Sequence, residues 1–75
     1  MPKLPSLSGN QVMKCFEKLG YQVIRQRGSH IRMYHKFDKT KRPITIPRHK
    51  VLGKGLLRKL MRDARISLEE LLNLL

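Results

Sequence analysis

His30 follows Gly28-Ser29 inside RQRGSHIRMYH, residues 25–35, where arginines flank it on both sides. An imidazole with an ordinary pKa of about 6.5 exchanges protons near neutral pH at little cost. Cleaving RNA without a metal needs a base for the 2′-hydroxyl proton and an acid for the leaving oxygen. It also needs cations around the phosphate while negative charge builds there. His30 has the chemistry of the base. Arg25, Arg27 and Arg32 have that of the cations, and Ser29 offers a hydroxyl to a phosphate oxygen. A plainer role suits His30 equally well, stacking on a base or filling a strand position, and spacing alone does not choose between them.

The other polar groups divide in the same way. His49 lies in Pro47-Arg48-His49-Lys50, and either a second acid/base group or a phosphate contact fits it. His35 reads as a structural histidine, on the helix side of its strand or near the sheet edge. Lys54, in Gly53-Lys54-Gly55, either meets a phosphate or simply opens a helix. This is not a Walker A loop, which needs an earlier Gly and a following Ser or Thr. The three histidines lack the HxH and HxxxH spacings of metal ligands. Glu17, Asp38, Asp63, Glu69 and Glu70 are scattered, which disfavours a two-metal nuclease. The expectation is therefore neither metal nor cofactor.

The elements that must position these groups follow from periodicity. Ser8 and Gln11 form a capping box, and Leu7 with Val12 a hydrophobic staple. Val12, Phe16 and Leu19 continue as an apolar stripe, so residues 9–19 are expected to be a helix ended by Gly20. Residues 21–26, YQVIRQ, read as a strand, and Gly28-Ser29 as a tight turn. In the next strand Ile31, Met33 and Phe37 share one face, with His30, Arg32, Tyr34 and Lys36 on the other. Residues 38–42 are a polar turn, and 43–47, PITIP, a third strand with Ile44 and Ile46 inward and its prolines at the ends. After a loop at 48–55, Leu56, Leu57, Leu60, Met61 and Ala64 mark a second helix. Ser67 and Glu70 cap a short third one. The expected fold is α+β: α-β-β-β-α, a three-stranded antiparallel sheet with helices on one face. His30, Arg32, Tyr34 and Lys36 then lie on the open face.

Seventy-five residues make one domain, with 1–7 a lead-in and 67–75 a short terminal helix. A chain this size buries only about 60% of its unfolded surface. The net charge is +12, and residues 25–65 alone hold fourteen basic and two acidic side chains. A compact domain tolerates such self-repulsion when the field has a use, and binding a polyanion is the usual one. Nucleic acid is the partner that this charge pattern favours. Cys15, the one cysteine, excludes a disulfide framework and reads as a small packed residue. The chain carries no signal-peptide pattern and no membrane-length apolar run, so the expected compartment is cytoplasmic.

Two stretches, SGNQVMKCFEKLGYQVIRQRGSHIRM and ITIPRHKVLGKGLLRKLMRDARISLEEL, together resemble the HicA family of bacterial toxin–antitoxin ribonucleases. The likeness runs from about Ser8 to Leu71. Its most specific parts are Gly28-Ser29-His30 and Pro47-x-His49 before the second helix. The resemblance implies a double-stranded-RNA-binding-domain-like fold and an mRNA interferase that cuts RNA independently of the ribosome and stops translation. It implies that His30 is the catalytic histidine, and that a HicB-type antitoxin covers the active site. The chain departs from many members at Gly55-Leu56-Leu57, where they have Gly-Thr-Leu, and at Ala64-Arg65, where they have Ala-Gly. Both departures lie away from the histidine. Two other readings fit the charge: a non-catalytic RNA-binding module, and a DNA-binding protein inserting Arg58 and Arg62 of the second helix into a major groove.

Overall fold

Ser8 sets the first ordered turn. Its hydroxyl accepts the Gln11 amide at 3.1 Å, and the Gln11 side chain accepts the Ser8 amide at 2.9 Å. From there the computed structural model, which describes residues 3–75, runs α1 (Gly9–Leu19), β1 (Tyr21–Arg27), β2 (His30–His35), β3 (Ile44–Pro47), α2 (Lys54–Ala64) and α3 (Leu68–Leu74). Gly20 ends α1 in the left-handed region. Ser67 and Glu70 cap α3 reciprocally, as Ser8 and Gln11 cap α1. α2 differs: its N-cap, Gly53, supplies no side-chain hydrogen bond, and Arg65 closes the helix at φ 57°.

The three strands form one antiparallel sheet in the order β1-β2-β3. The helices cover one face. Val12 and Phe16 of α1, Ile31 and Met33 of β2, Ile44 and Ile46 of β3, Leu57 of α2 and Leu71 of α3 make the centre of the core. This is the expected α+β architecture. The lead-in belongs to it as well: Leu7 is buried, Leu4 packs against the core, and the Leu52 amide donates to the Leu7 carbonyl at 2.8 Å. Met1 and Pro2 lie outside the described residues.

The structure corrects the reading of Phe37. Alternation places it inward with Ile31 and Met33, but it is 84% exposed. The reason lies in the ring of His35, whose Nδ1 accepts the amides of Phe37 (3.2 Å) and Asp38 (2.9 Å). Those bonds turn the chain out of the sheet, so β2 stops at His35 and the period-two argument stops with it. Smaller differences are that β1 reaches Arg27, β3 begins at Ile44 and α2 begins at Lys54.

Candidate active site

The β1–β2 hairpin is built to present charge. Arg27 pairs with His30, so Gly28-Ser29 is a two-residue loop, and Gly28 has φ +59°. That is the geometry of a type II′ turn, which asks for glycine at its first central position. A β-bulge interrupts the strand pairing between Val23 and Arg25. Ile24 is the extra residue, and it shifts the alternation by one. Without the bulge, and with Ile24 paired in the ladder, Arg25 and Arg27 would share the inward face with Tyr21. With it they stand opposite Arg32 and His30, on the open face.

There, Arg25, Arg27, His30, Arg32, Tyr34 and Thr45 line a cleft of about 360 Å³, and no acidic side chain lines it. His30 is exposed. Arg32 is held in place: its Nη1 donates to Thr45 Oγ1 at 2.9 Å, and its guanidinium lies 5.5 Å from the centre of the Tyr34 ring. Arg25 directly opposite Arg32 is a like-charge pair, which costs a sheet roughly 0.2–1 kcal/mol. An anion bound between them removes that cost.

The loop after β3 closes one end of the site. The Arg48 amide donates to the Ser29 carbonyl at 2.7 Å, and Arg48 Nε donates to Asn10 Oδ1 at 3.2 Å. The Gly9 amide donates to the His49 carbonyl at 2.9 Å. Helix and loop approach so closely that a Cβ on Gly9 would overlap the Pro47 carbonyl oxygen. Arg48 and His49 are thus anchored by backbone beside the turn that carries His30, with both side chains exposed.

The sequence-derived site residues therefore separate. Arg25, Arg27, His30 and Arg32 share the cleft, while Ser29, Arg48 and His49 do not line it, though the Arg48 amide bonds the Ser29 carbonyl beside His30. Lys36 is exposed one residue beyond β2, where its amide donates to the Gly20 carbonyl, and it does not line the cleft. Lys54 lines a different cleft, with Lys3 and Arg58. Thr45, Tyr34 and Asn10 join the site from outside the candidate set. The alternation of Ile44-Thr45-Ile46 was the signal for Thr45, whereas nothing local pointed to Asn10.

His35 has a structural place. Its Nδ1 accepts two amides, so the proton is on Nε2, which donates to the Leu19 carbonyl at 3.0 Å. Among the described residues no group of three or more His, Cys, Asp or Glu is placed to hold a metal ion. No helix among them is long and apolar enough to cross a membrane. Burial raises the thiol pKa of Cys15, and the hydrogen bonds from Thr40 lower that of the Asp38 carboxyl. Neither group lines the cleft.

A family model described as the HicA toxin of bacterial toxin–antitoxin systems matches residues 9–66. The chain belongs to the HicA toxin family. That span holds every candidate site residue, from Arg25 on β1 to Lys54 on α2, and leaves only the lead-in and α3 outside. HicA membership makes the chain the toxin of a toxin–antitoxin system, with an antitoxin as its counterpart. Comparison with curated proteins and with solved structures found no match.

Proposed function

We propose that this HicA-family toxin is an endoribonuclease that cuts single-stranded mRNA without a metal ion and so blocks translation. The observation that carries this reading is His30, exposed in a cleft lined by three arginines and no carboxylate. In the proposed step His30 takes the proton of a ribose 2′-hydroxyl. The 2′ oxygen then attacks the adjacent phosphorus, and the bond to the 5′ oxygen breaks. The leaving oxygen gains a proton from His49 or from a neighbouring lysine or arginine, giving a 2′,3′-cyclic phosphate and a 5′-hydroxyl. Arg25, Arg27 and Arg32 surround the phosphate as charge accumulates, with the Arg32 guanidinium already held by Thr45. A positioned base of this kind contributes about 10²–10⁴-fold.

The antitoxin, in this reading a HicB-type protein, silences the toxin by covering the cleft. With fourteen basic and two acidic residues between Arg25 and Arg65, the surface to be covered is strongly cationic.

The deciding experiment incubates the purified protein with single-stranded RNA in excess EDTA, beside His30→Ala. Wild type is expected to cleave. His30→Ala is expected to lose cleavage about 10²-fold or more while still binding RNA. Undiminished cutting by His30→Ala would remove that residue from the mechanism, and binding without cutting by wild type would leave a plain RNA-binding module.

A further inference from the structure

The proposed reaction uses one face of the sheet, yet the second concentration of charge lies on α2. That helix buries Leu57, Leu60, Met61 and Ala64 and turns Lys54, Arg58, Lys59 and Arg62 to water. Lys54, Arg58 and Arg62 recur every four residues, about 6 Å apart along the axis, so they form a row. At one end Lys54 and Arg58 join Lys3 in a cleft of about 480 Å³. At the other, Arg62 joins Arg42 and Arg65, beside Asp63, in one of about 380 Å³.

Of this charge only Arg62, in the last turn, suits the dipole of the helix that carries it. Like charges four residues apart repel. A cation in the first turn opposes the helix dipole, and α2 has no acidic residue there. α3 is built the opposite way, with Glu69 and Glu70 in its first turn and a complete capping box. The chain thus has the means to start a helix favourably and does not use them at α2, so the row's use lies outside the helix. No aromatic side chain lines either cleft, which suits a partner recognised by its charge and not by its bases. Arg48, His49 and Lys50, all exposed, lead from Pro47, the β3 partner of His30, toward the start of α2.

We propose that the row Lys54–Arg58–Arg62 is a second contact for the RNA phosphate backbone, engaged only by a strand long enough to leave the His30 cleft and follow the 48–50 loop. This rests on the reading of the chain as a nuclease acting on single-stranded RNA.

The test is the double variant Arg58→Gln/Arg62→Gln, because glutamine matches arginine in helix propensity and removes only the charge. Two RNAs share one cleavage site, a short one that fills only the cleft and a long one that extends past it. The variant is expected to cut the short RNA as wild type does and the long RNA with kcat/KM reduced about tenfold. Its log–log salt dependence for binding the long RNA is expected to be shallower by about 1.4, roughly 0.7 for each phosphate no longer neutralised. Should neither RNA be cut by wild type, the nuclease reading fails, but the salt slope still decides on the row. An unchanged slope overturns the proposal. So does an equal loss on both RNAs, or unaltered RNA binding with weakened antitoxin binding, which would assign the row to the protein partner. If the double variant proves unfolded by circular dichroism, Arg62→Gln alone carries the same comparison, with about half the change in slope.

Discussion

Strand β2 begins and ends with histidine, and its two ends differ in every respect except residue type. At its end, His35 is half-buried, with both ring nitrogens committed: one donates to the Leu19 carbonyl and the other accepts two amides of the following turn. Its ring also meets Tyr21 edge-on, with centres 5.2 Å apart. At its start, His30 is exposed among arginines. The lesson concerns how a sheet assigns roles. Where helices cover the strand and the backbone leaves amides without ladder partners, imidazole is spent as a bracket. At the hairpin end, the imidazole is left exposed to solvent.

Crossing the two histidines should break that contrast if it is false. His30→Ala is expected to leave unfolding unchanged while cleavage falls about 10²–10⁴-fold. His35→Ala is expected to do the reverse. It strands the Leu19 carbonyl and two amides, costing about 1–3 kcal/mol, with the cleavage rate per folded molecule preserved. Thermal melting and an RNA assay on both variants check this. A folded His35→Ala protein without activity would mean that the two ends are not independent.

A smaller effect should sharpen the comparison at the hairpin. Deleting Ile24 removes the extra residue and makes the ladder regular, with Arg25 still opposite Arg32 and Arg27 still opposite His30 on the open face. Cleavage and its salt slope are therefore expected to stay close to wild type, because both cations still meet the phosphate backbone. His35 and its bonds lie beyond the bulge, so the helical side of the fold should persist. A deletion that stays folded and loses cleavage would show that the arginines do not follow the register of the ladder.

How much of this was legible in the residues themselves depends on range. Both capping boxes, the Gly28-Ser29 turn and the outward place of His30 are local consequences of residue type, and the structure has them. The bulge was not legible, because Ile24 in YQVIRQ looks like any strand residue and only pairing with β2 makes it the extra one. The exposure of Phe37 was missed for a related reason, since alternation holds only while the ladder lasts. Lys54 joined the candidate set as the lysine of Gly53-Lys54-Gly55 before a helix, but the helix it starts carries it to a separate cleft. Arg65 is a case of the residue and the backbone disagreeing. It stands where many family members have glycine, and it is the one non-glycine residue at positive φ among those described.

The mildest prediction concerns Tyr21, the partner of His35 at the covered end. Its hydroxyl donates to the Arg42 carbonyl at 2.7 Å, and its ring stacks on Phe16 with centres 5.5 Å apart. Burial holds its phenol pKa up at about 12, with Asp63 and Asp38 adding to the effect. Because the folded pKa lies above the ordinary value of about 10, the unfolded chain gives up this proton first. The stability Tyr21 contributes is therefore complete below about pH 10 and is lost as pH rises toward about 12. Tyr21→Phe keeps the ring and loses the hydrogen bond, so it should cost about 1 kcal/mol near neutrality. Above about pH 10 it should also lose stability less steeply than wild type, since phenylalanine has no proton to give up. Denaturant unfolding of both proteins across that range checks this, and parallel curves would mean that the phenol titrates alike in folded and unfolded chains. The cleavage rate of Tyr21→Phe at neutral pH should stay at the wild-type value, because the ring it supports is His35, which holds the fold, and not His30, the proposed base.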